Sequence, residues 1–315
     1  MEVVVGPQRC VPPAGGSAVT IGAYDGVHRG HQQLIAELRS RAQERSLASV
    51  VVTFDRHPAT VVRPESAPAL LTGLAHKLEL LAATGVERTL VVPFDRDRAD
   101  ESAEDFVLEV LVRALDTRLV VVGADFHFGH GRKGTVALLG EMGAEQGFDV
   151  IGWDLAGDAG GQVISSTRIR ALLAAGDVAG AADLLGRPHQ VRGPIAHGDA
   201  RGGTELGMPT ANVAVEPGIA LPADGIYAAW HERPGGERHP AVVSVGRRPT
   251  YYAEAGERMV ESHLLDFAGD LYGEQAAVGF VARMRAEQRF DTSAALAAQM
   301  RADAESARRV LARSW

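Results

Sequence analysis

Gly22-Ala23-Tyr24-Asp25-Gly26-Val27-His28-Arg29-Gly30-His31 follows a β-branched run, Val19 to Ile21, and leads into an amphipathic stretch. From Gln32 to Arg45, residues Leu34, Ile35, Leu38 and Ala42 recur at helical spacing, so the decamer is a strand-to-helix turn. In an open parallel sheet such a turn lies outside the strand C-termini, where ligands bind. Glycines there let a phosphate approach the backbone, and the helix N-terminus offers oriented N–H groups and partial positive charge. His28 and His31, three residues apart, can donate to one phosphate chain and stabilise charge that builds up as an α-phosphorus is attacked. No covalent nucleophile is required. Two other readings stay open: a zinc pair, which would need further ligands that the sequence does not cluster here, and two surface histidines on a turn.

Outward from this turn, β-branched runs alternate with helical patterns. Strands are expected at Val19–Ile21, Ser49–Phe54, Thr89–Val92, Leu119–Val122 and Asp149–Trp153. Helices are expected over Gln32–Arg45, Leu74–Ala83, the stretch capped by Ser102 with Asp105 three residues on, and Val136–Gln146. Such alternation gives a doubly wound, parallel α/β sheet, covered on both faces. Two short helices, Thr167–Ala174 and Val178–Leu185, close this half, and Arg187-Pro188 breaks the pattern. The expected domains are residues 1–186 and 187–315.

Beyond the break the rhythm changes. Gln190–Ala196, Ile226–Glu232, Ala241–Val245, Met259–Phe267 and Ala276–Met284 read as strands with no long helices between them. They indicate an antiparallel unit, a small β-barrel, followed by a helix from Ser293 to about Ala312. That helix carries Leu296, Met300, Ala304, Ala307 and Leu311 on the face expected to pack on the barrel.

The 315 residues are 23% charged and 46% hydrophobic, which fits a soluble globular chain of two domains. No apolar run reaches the roughly 18–20 residues of a membrane span, and Met1 to Cys10 lacks the pattern of a signal peptide. The single cysteine, Cys10, allows no internal disulfide, and the cytoplasm is the expected compartment. A net charge of −8 argues against a nucleic-acid partner, but not against a small anionic substrate. Lys77 and Lys133 are the only lysines, so arginine is expected to do most anion binding.

Ile164-Ser165-Ser166-Thr167-Arg168-Ile169-Arg170 is a helix start with hydroxyls and arginines, suited to a departing pyrophosphate; alone, such a triplet is more often an N-cap. After the fourth strand, Asp125 could orient a polar group, while Phe126 and Phe128 either face a planar ring or belong to the core. Gly129 to Gly134 spells G-x-G-x-x-G, yet a polar aromatic loop separates it from the strand, unlike a dinucleotide fingerprint. In the second half, Arg201 to Asn212 joins a glycine-rich loop to Gly207-Met208-Pro209-Thr210-Ala211-Asn212. Thr210 and Asn212 are neutral oxygen ligands two apart; on a strand they share a side, which suits Mg²⁺ bound also to nucleotide phosphates. An ordinary turn with a Thr/Asn hydrogen bond is the other reading. Glu261 and His263 share a strand face, where a carboxylate could take a proton from a substrate hydroxyl or simply be a surface residue.

The first motif resembles the His-x-Gly-His signature of the nucleotidyltransferase superfamily, and Ile164 to Arg170 is similar to its second signature. Gly207 to Asn212 resembles the Gly-Phe-Pro-Thr-Ala-Asn motif of riboflavin kinases, and Glu261 to Gly273 their later Glu…Leu-Asp-Phe…Asp-Leu-Tyr-Gly segment. Ser244 to Thr250 and Arg285 to Phe290 fit as well. The order, from about Val19 to Leu311, resembles the bacterial bifunctional riboflavin kinase/FMN adenylyltransferase family. The resemblance implies a six-stranded barrel that phosphorylates riboflavin to FMN with ATP and Mg²⁺. It gives Glu261 as general base, Thr210 and Asn212 as metal ligands, and Gly207 and Pro209 as nucleotide contacts. It further implies transfer of AMP from a second ATP to FMN, giving FAD and pyrophosphate. His28 and His31 would be catalytic there, Gly22, Asp25, Gly30, Ser166, Thr167 and Arg170 would bind phosphates, and Asp125, Phe126 and Phe128 would face the flavin.

The sequence departs from the family at Arg56 within Phe54-Asp55-Arg56-His57-Pro58, at Tyr24, at Thr135 and at Met208. Alternatives are therefore a kinase with a degenerate adenylyltransferase half, a paralogue acting on a modified flavin, and a non-enzymatic flavin- or nucleotide-binding regulator. Oligomeric state is not legible.

Overall fold

β-Branched runs in the first half pair into an all-parallel sheet of six strands: β1 (Glu2–Val5), β2 (Ser17–Ile21), β3 (Ala48–Phe54), β4 (Arg88–Val92), β5 (Thr117–Gly123) and β6 (Asp149–Trp153). The computed structural model describes residues 1–154, 157–158, 160–196, 210–247 and 258–313. Strand order is β1-β4-β3-β2-β5-β6. The chain leaves β2 toward β3 on one side, and β5 lies on the other, so the order reverses at β2. At such a reversal in an open α/β sheet, ligands bind outside the carboxyl ends of the strands, here β2 and β5.

Alternation along the strands gives the sheet two apolar faces. Val19, Ile21, Val50, Val52, Val120 and Val122 pack with Phe106, Val110, Leu111 and Leu139 in one cluster. Ala18, Leu119 and Val121 pack with Leu34, Leu38 and Ala42 of helix α1 (Arg29–Glu44), and Val51 packs with Ile35 and Leu81, the latter on α2 (Leu74–Ala83). Covering both faces explains why the strand runs are apolar almost without interruption. The expected Ser102 cap is present: Asp105 N–H donates to Ser102 Oγ at 3.0 Å. The helix that it starts, α3 (Ala103–Phe106), runs on through wide π-type turns over Val107–Ala114. The sequence reading has five strands; β1 is the sixth. It lies on the sheet edge against β4 with mostly exposed side chains, so neither burial nor alternation marks its four residues.

The second half forms a closed barrel of β7 (His189–Ala196), β8 (Ala211–Val213), β9 (Gly225–Glu232), β10 (Arg238–Arg247), β11 (Arg258–Leu264) and β12 (Gln275–Arg285). The pairs are antiparallel in the order β8-β11-β10-β9-β12-β7, and β7 closes on β8. Only three residues long, β8 is not among the five strands read from residue pattern; it holds Asn212, with Thr210 just before it, close to the strand placement that their shared-side reading supposed. A separate helix, Val136–Gln146, capped by Thr135, lies between β5 and β6, and α4 (Ser166–Ala175), α5 (Val178–Leu185) and α6 (Ser293–Leu311) follow later in the chain. Ala304, Ala307 and Leu311 of α6 cover Ala228 and Trp230 of β9, as the apolar stripe implied.

The chain divides into two compact units, Met1–Ser166 and Thr167–Trp315. The short helices before Arg187 thus group with the barrel unit; Ala223 N–H donates to the Leu173 carbonyl at 2.9 Å, tying the end of α4 to it.

One barrel residue predicts an acid response. His231 is fully buried, with Nδ1 2.9 Å from Ser262 Oγ and Nε2 unpartnered among the described residues. Burial, then the neighbouring His239, pulls its pKa down to about 4. The unfolded chain therefore takes up a proton first as pH falls below about 6.5, and stability contributed above that pH is lost down to about 4. A loss on the order of 3 kcal/mol is the upper bound. Urea unfolding followed by tryptophan fluorescence should show this extra drop, and His231→Asn should abolish it; an equal drop in the variant would remove His231 as the cause.

Candidate active sites

The Gly22–His31 turn leaves β2 at the sheet's reversal point. Gly26 has φ 81°, and the non-glycine residues Tyr24 and Val27 also have positive φ, at 49° and 38°. Such a turn must be held from outside. Asp25 does part of this: Oδ1 accepts from Leu71 N–H at 2.9 Å and Thr72 N–H at 3.1 Å, and Gly26 N–H donates to Thr72 Oγ1 at 3.1 Å. Ser166 Oγ donates to the Asp25 carbonyl at 2.9 Å, so the second signature is joined to the first. A side chain at Gly30 would press on the His28 ring, and one at Gly22 on Tyr24.

His28 caps α1: its Nδ1 accepts the His31 backbone N–H at 3.3 Å, which leaves the imidazole proton on Nε2. The two rings stack, centroids 3.6 Å apart and 17° from parallel. Tyr24 meets His31 edge-on at 5.0 Å, and its hydroxyl bonds Thr20 Oγ1 at 2.6 Å. Burial, and then the charges of His28 and Lys77, lower the His31 pKa well below the ordinary histidine value. His31 is thus neutral near pH 7, and its Nδ1 is buried without a partner among the described residues. Further along α4, Thr167 is exposed and Arg170 half-buried.

Asp125, after β5, is exposed, and its carbonyl lies 2.7 Å from His127 Nδ1. Phe126 and Phe128 stack at 5.4 Å and both pack against the sheet core while remaining partly exposed. Gly129 to Gly134 does not open a helix after a strand. It lies in a short hairpin in which His127 pairs with Thr135 and Phe128 with Gly134. The next helix starts only at Val136, with Thr135 Oγ1 accepting from Leu138 N–H at 3.2 Å. Thr135 thus serves as an N-cap, worth about 1 kcal/mol. Arg56 is exposed and pairs with Asp55 at 3.3 Å.

In the barrel, Glu261 on β11 stands directly opposite Asn212 on β8 and Ser244 on β10. Val260, Ser262 and Leu264 are buried, while Glu261 and His263 take the alternate face and are half-buried. Glu261 makes no ion pair or hydrogen bond among the described residues. The Asn212 Oδ1 is buried and lacks a hydrogen-bond partner there. Opposed residues on antiparallel strands have Cβ atoms roughly 4.5–5.5 Å apart, so carboxylate and amide adjoin. Thr210, just before β8, is half-buried. Gly207, Met208 and Pro209 lie outside the described residues.

Comparison with known proteins gives the chain a family. A family model described as FAD synthetase matches residues 12–168, and one described as riboflavin kinase matches 185–311. A relative from Escherichia coli K12, "Bifunctional riboflavin kinase/FMN adenylyltransferase", is 41% identical over 297 residues, 94% of this chain and 93% of its own. The chain belongs to the bifunctional riboflavin kinase/FMN adenylyltransferase family. A Pseudomonas fluorescens member is 40% identical over 314 residues, 100% of this chain and 99% of its own. A crystal structure titled as a macrolide-efflux protein from Streptococcus pneumoniae matches with TM-score 0.87 at 31% identity, covering 100% of each chain. Among the described residues no helix is long and apolar enough to cross a membrane.

One group in the first site escaped the sequence reading. Lys77 is buried, and its Nζ donates to the Ala23 carbonyl, Thr53 Oγ1 and the Phe54 carbonyl at 3.2, 3.2 and 2.8 Å. The available signal was its place four residues before Leu81, on the apolar face of α2.

Proposed function

We infer that the chain carries out both reactions of its family: ATP-dependent phosphorylation of riboflavin to FMN, and adenylylation of FMN by a second ATP to give FAD and pyrophosphate. We assign the second reaction to residues 1–186 and the first to 187–315. The observation that carries the kinase half is Glu261, free of ion pairs among the described residues and opposite an amide oxygen with no partner there. In this reading Glu261 accepts the proton of the riboflavin 5′-hydroxyl as that oxygen attacks the γ-phosphorus.

The Asn212 Oδ1, without a partner among the described residues, and the neutral hydroxyl of Thr210 suit a hard cation that keeps part of its water and takes phosphate oxygens. They would hold Mg²⁺, which when bound neutralises charge on the transferring phosphates. Gly207 and Pro209 remain assigned to the nucleotide.

In the adenylyl-transfer site the FMN phosphate is already ionised and attacks the α-phosphorus of ATP. His28, with its proton on Nε2, and neutral His31 donate to phosphate oxygens as charge shifts toward pyrophosphate. Asp25 and Ser166 work by holding the turn, since their polar atoms bond within it. Gly22 and Gly30 keep the backbone accessible, Thr167 and Arg170 bind the leaving group, and Asp125 with the exposed edges of Phe126 and Phe128 faces the flavin. A cytoplasmic location and the absence of a nucleic-acid partner belong to the same reading, on the single cysteine and the charge of −8.

The test is product separation after incubation with riboflavin, ATP and Mg²⁺. FMN should appear first and FAD follow. FMN without FAD would indicate a degenerate first half, and no turnover a binding protein.

A further inference from the structure

Lys77 is a buried cation for which the two half-reactions, as derived above, have no task. It projects from α2 to the root of the Gly22–His31 turn and uses all three ammonium hydrogens on neutral oxygens: Ala23 O, Thr53 Oγ1 and Phe54 O. Thr53 Oγ1 in turn donates to the same Ala23 carbonyl at 3.2 Å. Ala23 is the second residue of the turn, and Phe54 ends β3. One side chain thus ties together the carboxyl ends of β2 and β3.

The charge has no direct carboxylate partner among the described residues. Asp25 and Asp55 act on it through space, and it acts in the same way on His31. Burial lowers its pKa to about 8, against the pull of those two carboxylates. A buried charge resting on neutral oxygens carries a desolvation cost that methionine in the same place would avoid. A purely structural tie between two strand ends needs no charge. A site that must attract phosphates does.

We propose that Lys77 is a positioning residue for adenylyl transfer: it fixes the Ala23 carbonyl, and with it the turn that carries His28 and His31. Its buried charge also raises the positive potential at the His31 imidazole. This rests on the reading that the first unit adenylylates FMN. The turn's geometry matters most when charge moves on the α-phosphate. Misplacement should therefore appear in kcat for FAD formation more than in KM for ATP.

The experiment uses the full chain, FMN and ATP–Mg²⁺, with riboflavin phosphorylation by the same preparations as an internal control. Lys77→Met should lower kcat for FAD formation by about 10²-fold, the scale of a displacement near 1 Å, with KM for ATP little changed and kinase activity intact. Thr53→Val keeps the charge but removes one acceptor and the bridge to Ala23. It should lower the same kcat by about tenfold. A Lys77→Met protein with a lower melting temperature but unchanged kcat overturns the proposal. If Lys77→Met does not accumulate, Thr53→Val decides, and an unchanged kcat overturns it equally. Wild-type protein that makes no FAD at all overturns the underlying reading, and this inference with it.

Discussion

Glu261→Gln should lower FMN synthesis from riboflavin by about 10²–10⁴-fold while leaving FAD synthesis from supplied FMN near its original rate. A primary alcohol is a poor nucleophile near neutral pH and must lose its proton as it attacks. Glutamine keeps the size and most of the hydrogen bonding of glutamate but cannot take that proton. The position supports the role: Glu261 lies on the outer face of β11, between Asn212 and Ser244, with no arginine or lysine paired to it among the described residues. Were Glu261 only a surface charge, the substitution would cost about 0–1 kcal/mol of stability and neither activity. Initial rates of FMN formation, with the melting temperature as a folding control, separate the two cases. Near-normal phosphorylation by a folded variant removes Glu261 as the base.

His31→Ala should have the complementary effect, lowering FAD formation by about 10²–10³-fold while FMN formation continues. Alanine retains the backbone N–H that His28 Nδ1 accepts, so the cap of α1 survives and only the ring is lost. That ring is neutral near pH 7, because burial and the charges beside it depress its pKa, so it acts as a hydrogen-bond donor and not as a fixed cation. Its share of the rate should accordingly stay flat as pH falls from about 7 to about 6, the range in which an unperturbed histidine takes up its proton and Lys77 is already charged. FAD formation by His31→Ala within a few-fold of wild type would exclude the ring from the mechanism.

Much of this was legible in the residues because each signal was local. Leu74–Ala83, Val136–Gln146 and Asp149–Trp153 begin and end where periodicity and caps placed them. The reversal of strand order at β2 was not readable, although the turn's composition already pointed to the carboxyl edge of the sheet. Residue pattern shows neither β1 nor β8, because four and three residues cannot display a period and long-range pairing makes them strands; a strand at Asn212 was supposed only from the shared side of Thr210 and Asn212. Asp25 looked like a phosphate contact in its motif, but its carboxylate is satisfied by Leu71 and Thr72, 46 and 47 residues away. Lys77 was hidden for a related reason. Its partners are two backbone carbonyls and a threonine, none of which has a sequence pattern of its own.

The claim that one chain holds two separate sites is tested most directly by mixing the two variants. Glu261→Gln alone should make almost no FAD from riboflavin, for want of FMN. His31→Ala alone should accumulate FMN and stop there. Combined with riboflavin, ATP and Mg²⁺, they should restore FAD, because FMN released by one protein is adenylylated by the other. A mixture that accumulates FMN and makes no more FAD than either variant alone would contradict the account.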